Sequence, residues 1–231
     1  MDKRDIVIPL LEDDRNNVEL RFALRTLKNI EFDRVFVVGD KPNWLQNVTY
    51  IANSSHFGNR ARNIMTNIWY ACKDERLSSN FIFINDDYFF LKEINNFPYF
   101  YKGTIQDGME AAQWGEYYSH LLATKMVLNE NNLGTLNFDV HFPIVYNKDK
   151  MLSVIDKYNW DTPYGFTMKS LYCNTLGIEG IFSLDCNAYT DEKWETWTVG
   201  KSMFSINERS WSSNLENYLL LLFPDKSKFE K

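Results

Sequence analysis

The sequence predicts an α/β protein organised around a parallel sheet, on three observations. Short apolar runs alternate with helix-patterned stretches over the first hundred residues, the rhythm of strand–helix–strand units. These runs stop at polar or turn-forming residues: Pro9-Leu10, Gly39-Asp40 and Asn85-Asp86-Asp87. The second half carries longer helical patterns and is less regular, so a mostly helical flank is expected there.

The elements follow in order. Residues 6–11 are a compact apolar run behind charged residues, read as the first strand, and residues 12–17 a polar loop. Residues 18–30 place Val18, Phe22, Leu24, Leu27 and Ile30 close to helical spacing. Residues 34–38 are a second strand, ended by Gly39-Asp40, with Pro42 and Asn43 continuing the loop. Residues 48–51 form a short third strand and 59–72 a helix. After a polar connection over 74–80, residues 81–84 form the fourth strand. A helix within 107–130 breaks near Gly115, another covers 147–158, and a last one within 207–223 is stopped by Pro224. The run 219–223 is expected to be the buried face of that last helix. No repeat or low-complexity linker divides residues 1–231, which are read as one domain sharing one core.

Composition narrows the function classes. A chain of 231 residues, 45% hydrophobic, can bury a substantial core. The net charge of −6 argues against a generally basic nucleic-acid binder. Cys72, Cys173 and Cys186 have no metal-type spacing, and an odd count does not suit a secreted disulfide framework. Reduced cysteines and a cytoplasmic setting are therefore expected. Only five apolar residues follow Met-Asp-Lys-Arg-Asp, too few for a signal h-region. No run approaches the roughly 20 apolar residues of a membrane span.

The strongest chemical signal is the Asp86-Asp87 pair. An apolar strand runs into two adjacent carboxylates, and Tyr88-Phe89-Phe90 follow at once. Buried charge is costly unless paired or metal-bound. A hard cation, Mn²⁺ or Mg²⁺, held by one or two carboxylates plus substrate phosphates would satisfy the pair. The plain alternative is a turn, which Asn and Asp favour by bonding their own backbone. Ligands of such sheets bind beyond the carboxyl ends of strands, which brings in Pro9, Leu10 and Asp40. Asp40 suits a ribose or base, or simply a turn before Pro42. Arg15, Arg21 and Arg25 suit phosphate, although at least one should pair with Glu19 on the helix surface. Arg60 and Arg62 stand at a helix start, where backbone N–H groups favour anions; an ordinary cap fits equally.

His141, between apolar residues and before Pro143, is a candidate general base, phosphate contact or metal ligand. His56 is a weaker substrate contact, and His120 is read as packing. Lys169 is a candidate phosphate or leaving-group contact, and Glu208 a candidate metal ligand. Trp194, Trp197 and Trp211 suit stacking on sugars or bases, although most tryptophans should be core.

Four blocks, in order, resemble the Stealth-type sugar-phosphate transferases. Residues 18–27 (VELRFALRTL), 35–40 (VFVVGD) and 42–45 (PNWL) are similar to that family's ELRYSLRS…IYIVTD…PSWL. Residues 77–87 (LSSNFIFINDD) are close to LSxxFIYLNDD, and 141–143 (HFP) match HxP. Residues 204–208 (FSINE) and 222–230 (LFPDKSKFE) look like the family's C-terminal block. The resemblance implies a Rossmann-like nucleotide-sugar fold of the GT-A type, with a nucleotide-sugar-binding half over 1–100 and an acceptor-side half over 101–231. It also implies a divalent metal at Asp86 and Asp87 and a role for His141. The chain departs from the pattern at three points. Lys169 stands where the family has arginine and Glu208 where it has aspartate, and the opening strand lacks the family's terminal carboxylate. Transfer of a sugar phosphate or of a plain sugar, from a nucleotide-sugar donor to a glycan or other hydroxyl, is expected. A base in DNA is the alternative acceptor if the chain is phage-encoded, and a non-catalytic nucleotide-sugar-binding module is the alternative from another class.

Overall fold

A computed structural model of the chain describes residues 4–54, 57–159 and 162–231. The elements run β1 (Asp5–Leu10), α1 (Val18–Thr26), β2 (Val35–Gly39), β3 (Thr49–Ala52), α2 (Arg60–Lys73), β4 (Asn80–Phe83) and β5 (Tyr88–Phe90). They continue with β6 (Phe100–Tyr101), α3 (Ile105–Ala112), α4 (Glu116–Glu130), β7 (Ile144–Asn147), α5 (Lys148–Lys157) and α6 (Met168–Thr175). The chain closes with β8 (Ile181–Phe182), β9 (Asn187–Ala188), α7 (Trp194–Trp197), β10 (Met203–Ile206) and α8 (Ser213–Leu222).

The central sheet has the order β3-β2-β1-β4-β7. Its first four strands are parallel and β7 is antiparallel to β4. Both faces are covered, so the strands read as nearly continuous apolar blocks rather than alternations. Val7, Phe36, Val38, Phe81 and Phe83 face the core shared with α2, α5 and α6. Ile6, Ile8, Leu10, Val35, Val37 and Ile82 face the other side, where Leu20, Leu24 and Leu27 pack. A mixed α/β fold with a parallel-rich sheet, as expected, is what the chain builds.

A second sheet, β5-β10-β9, leans on α1 through Phe22 and Ala23 and on α8 through Leu215 and Leu219. Strand β5 begins directly after Asp86-Asp87. The acid pair therefore occupies the turn joining the two sheets.

Several expectations are refined. The first helix stops at Thr26 and tightens into a 3₁₀ turn over Leu27–Asn29. The 107–130 helix is two helices parted around Gly115, whose positive φ of 97° suits glycine. One expectation is corrected: the 219–223 run is not a buried face. Leu219 and Phe223 are buried, but Leu221 is 75% exposed. Consecutive residues on a helix point around its whole circumference, so only those about four apart share the buried side. The three cysteines are free and buried. No helix among the described residues is long and apolar enough to cross a membrane.

Candidate active site

The carboxyl ends of β1, β2 and β4 form one edge, because these strands are parallel. At the end of β2, Gly39 pairs with Leu10 in a conformation that leaves no room for a side chain. Its φ is +116°, and a Cβ there would stand 2.1 Å from the Leu10 carbonyl oxygen. The Asp40 N–H donates to that carbonyl (3.0 Å), and the Glu12 N–H donates to Asp40 Oδ2 (2.8 Å). Asp40 thus ties the β1–α1 loop to the end of β2. Pro9 is half-buried at this edge. The Leu10 side chain belongs to the core, 2% exposed, so its backbone is what it presents at the edge.

Asp86 and Asp87 are half-buried in the turn after β4. Asp86 is pushed up to about 7, by burial first and then by the negative charge of Glu19. Asp87 is raised as well, by burial and then by Asp86 beside it. Glu19 is raised, chiefly by burial. Asp13 adds to the field at Asp86. Arg15 answers this charge: it holds Glu19 at 2.7 Å and lies 3.6 Å from Asp13. It is an ion-pair partner of the acidic loop, the surface pairing weighed for it from sequence. Asp87 Oδ1 is buried and accepts no hydrogen bond. A buried acceptor left in that state costs about 1–3 kcal/mol. Among the described residues, no three His, Cys, Asp or Glu side chains converge on one metal position. A cation here would take two carboxylates and complete its shell with substrate oxygens and water, the habit of hard divalent ions. The donor set fits Mn²⁺ or Mg²⁺.

His141 lies in the loop that leads into β7. Its backbone N–H donates to Asp185 Oδ1 (2.9 Å), and its Nδ1 lies 2.9 Å from Asp185 Oδ2. Lys102 Nζ donates to the same Oδ2 (3.2 Å). Asp185 is held far below the usual carboxylate range: burial opposes ionisation, but His141 and Lys102 outweigh it. The Cys186 thiol donates to the His141 carbonyl. A cavity of about 540 Å³ borders this carboxylate, lined by Phe97, Phe100, Phe142, Pro143, Asn95 and Lys201. Asp185 was invisible from sequence, since it lies 44 residues from its partner in an irregular stretch.

Lys169, the candidate phosphate or leaving-group contact, lies on the first turn of α6. It is buried, and its ammonium donates to Val140 O (2.6 Å), Phe142 O (2.7 Å) and Tyr88 Oη (3.2 Å). Three donors meet three acceptors, so Lys169 ties the His141 loop to the residue after Asp87. Glu208, the candidate metal ligand, is exposed and ion-paired with Arg60, within electrostatic reach of Glu19.

The α2 N-terminus is capped by protein. The Asn59 side chain accepts from the Arg62 N–H (3.0 Å), and Glu116 accepts from the Arg60 N–H (2.9 Å). Arg62 lies over the Phe57 ring at 4.1 Å. Arg21 lies over Trp44, and Arg25 is tied to Glu230. His120 is buried, as read. Trp194 is fully buried against Phe204, a core residue rather than a platform. His56 lies outside the described residues.

The whole is an α/β protein with an acid pair at the end of a central parallel strand and a carboxylate-bound histidine in its second half. No family model and no curated protein matches the sequence. Among solved structures the chain is similar to a glycosyltransferase involved in glycosylation of the major capsid of PBCV-1 (11% identity, TM-score 0.44, 94% of this chain and 98% of that one). It is similar to mouse xyloside xylosyltransferase 1 in its apo form (11%, 0.44, 92% and 100%). It is also similar to the apo WbbM bifunctional glycosyltransferase (11%, 0.48, 98% of this chain and 50% of that one). These overlaps are loose, so the chemistry is read from this chain's own residues.

Proposed function

We propose that the protein is a metal-dependent transferase that moves a sugar or sugar phosphate from a nucleotide-sugar donor to a glycan or other hydroxyl acceptor. The observation that carries this reading is the acid pair at the strand-end edge, with Asp87 Oδ1 buried and unbonded. Asp86 and Asp87 would hold the cation, which when bound neutralises charge on the leaving group as a Lewis acid. The donor would lie across the edge beside Pro9 and Asp40. His141 would take the proton of the acceptor hydroxyl. Its Nδ1 already faces Asp185, which leaves Nε2 as the nitrogen for the acceptor. The cavity beside Asp185 offers aromatic walls with amide and ammonium groups, a surface suited to a saccharide. The four-block resemblance to sugar-phosphate transferases supports the same donor class.

The test is a thermal-shift screen of UDP-, GDP-, CDP- and ADP-sugars with and without Mn²⁺, followed by product mass. One donor should stabilise the protein only with the cation, and the acceptor should gain a hexose or a hexose phosphate. Asp86→Ala and Asp87→Ala should each abolish both effects. Unchanged turnover in those variants would remove the site; metal-dependent binding without any product would make the protein a binding module.

A further inference from the structure

We infer that Asp185 is the positioning residue for His141, fixing the imidazole with its proton on Nδ1 and its lone pair on Nε2; this rests on the reading of His141 as the base. The two oxygens of Asp185 have separate tasks. Oδ1 accepts from the His141 backbone N–H and Oδ2 faces Nδ1, each at 2.9 Å. One carboxylate therefore grips both the backbone and the ring of the same residue, which sets the side-chain torsion as well as the tautomer. An ionised carboxylate only accepts hydrogen bonds, so a neutral ring facing it must present N–H from Nδ1.

The surroundings keep that carboxylate ionised and still. Lys102 donates to Oδ2 from the loop after β6. From α6, Lys169 anchors the carbonyls on either side of His141. The Cys186 thiol donates to the His141 carbonyl, closing the loop from the Asp185 side. Asp139 and Asp87 both act on Lys169, and Lys201 lines the cavity beside Asp185. Asp185 touches no reacting atom; its action runs through the histidine.

The substitution Asp185→Asn, made in a Lys102→Met background so that no ammonium opposes the amide nitrogen at the Oδ2 position, makes this testable. The amide oxygen would keep the backbone N–H, placing the amide nitrogen, a donor, against Nδ1. Nδ1 must then lose its proton, and the proton moves to Nε2, leaving no basic nitrogen for the acceptor. Nitrogen-15-labelled histidine reports this without any ligand. His141→Gln assigns the His141 signals against those of His56 and His120. At about pH 9, where an ordinary imidazole is neutral, wild-type protein should show Nδ1 protonated and Nε2 bare, and Asp185→Asn should reverse the two. A cooperative urea transition checks that the variant is folded. A wild-type ring protonated on Nε2, or a tautomer unmoved by Asp185→Asn, overturns the inference. If that variant does not fold, the wild-type spectrum decides alone. Full turnover by His141→Gln, beside a wild-type ring protonated on Nδ1, would instead remove the base reading and leave the clasp intact.

Discussion

The Lys169 ammonium is buried with three hydrogens and three acceptors, two of them the carbonyls flanking His141. Lys169→Met would fill much the same space and leave those carbonyls unpaired. A cost of about 1–3 kcal/mol is expected for such orphaned acceptors, read as a lower urea midpoint. Turnover should fall while the Mn²⁺-induced thermal shift persists, because the acid pair is left in place; loss of both together would mean that the lysine supports the whole edge. Asp86 and Asp87 have the opposite problem, too much like charge in too little water. A carboxyl raised in the folded state adds stability below its unfolded pKa of about 3.9 and loses it as pH rises through the folded value. For Asp86 that window ends near 7. Metal-free wild-type protein should therefore lose Tm between about pH 4 and pH 7 relative to the Asp86→Asn, Asp87→Asn double variant. Mn²⁺ at neutral pH should restore wild type alone, and a pH-independent gap between the two proteins would refute the crowding. This pair was readable in sequence because an apolar strand has one end and the carboxylates stand on it. Asp185 was not, because what makes it notable is a partner brought close only by folding.

Among the elements, β1 and β2 end together where the site begins. Gly39 allows it through a positive φ and the absence of a side chain. Gly39→Ala would force its methyl into the Leu10 carbonyl and hold alanine in a left-handed conformation, a strain of about 1–3 kcal/mol before any clash is relieved. The strand ends should part, carrying Asp40 away from the Glu12 N–H. The expected result is a lower Tm with weaker donor binding but an unmoved His141 tautomer, since that residue is held by Asp185 and Lys169. Normal donor affinity in a folded Gly39→Ala protein would show that the edge does not contact the donor. The parallel strands and the longer helices were legible because burial on both faces writes an unbroken apolar block, and amphipathic helices write a period near 3.6. Strands β5 and β7 were not. Tyr88–Phe90 is only three residues long and reads as the wall of the acid pair, and Ile144–Asn147 runs straight into a helix capped by its own last residue. Helix α6, eight residues buried along nearly its whole length, offers no polar face to set a period.

At the scale of the molecule, the C-terminal segment folds back onto the first half of the chain. The C-terminal segment lies along residues 44–46: the Gln46 N–H donates to Phe229 O, and the Lys231 N–H to Trp44 O. Glu230 is the latch. Its carboxylate receives Arg25 Nε and Nη2 at 2.9 and 2.8 Å, and the Ser227 N–H at 2.8 Å. The VELRFALRTL and FPDKSKFE blocks that carry part of the family resemblance thus meet in one buried ion pair, with the Glu230 side chain fully covered. Burial by itself would raise the Glu230 carboxyl, but the hydrogen bonds from Arg25 and Ser227 prevail and lower it. A lowered carboxylate contributes stability above its unfolded pKa, about 4.3, and loses it as pH falls through the folded value. Removing one partner of a buried pair typically costs about 3–5 kcal/mol, because the other charge is stranded. Arg25→Met should therefore be strongly destabilising at neutral pH, with the gap to wild type narrowing in acid as Glu230 is neutralised. Arg25→Met combined with Glu230→Met should recover most of the loss, since an apolar pair of similar volume leaves no charge behind. Urea unfolding of the three proteins at about pH 7 and about pH 3 measures each gap. If the Arg25→Met deficit is the same at both, the arginine acts through its packing on the Phe22 ring, 4.8 Å away, and not through its charge.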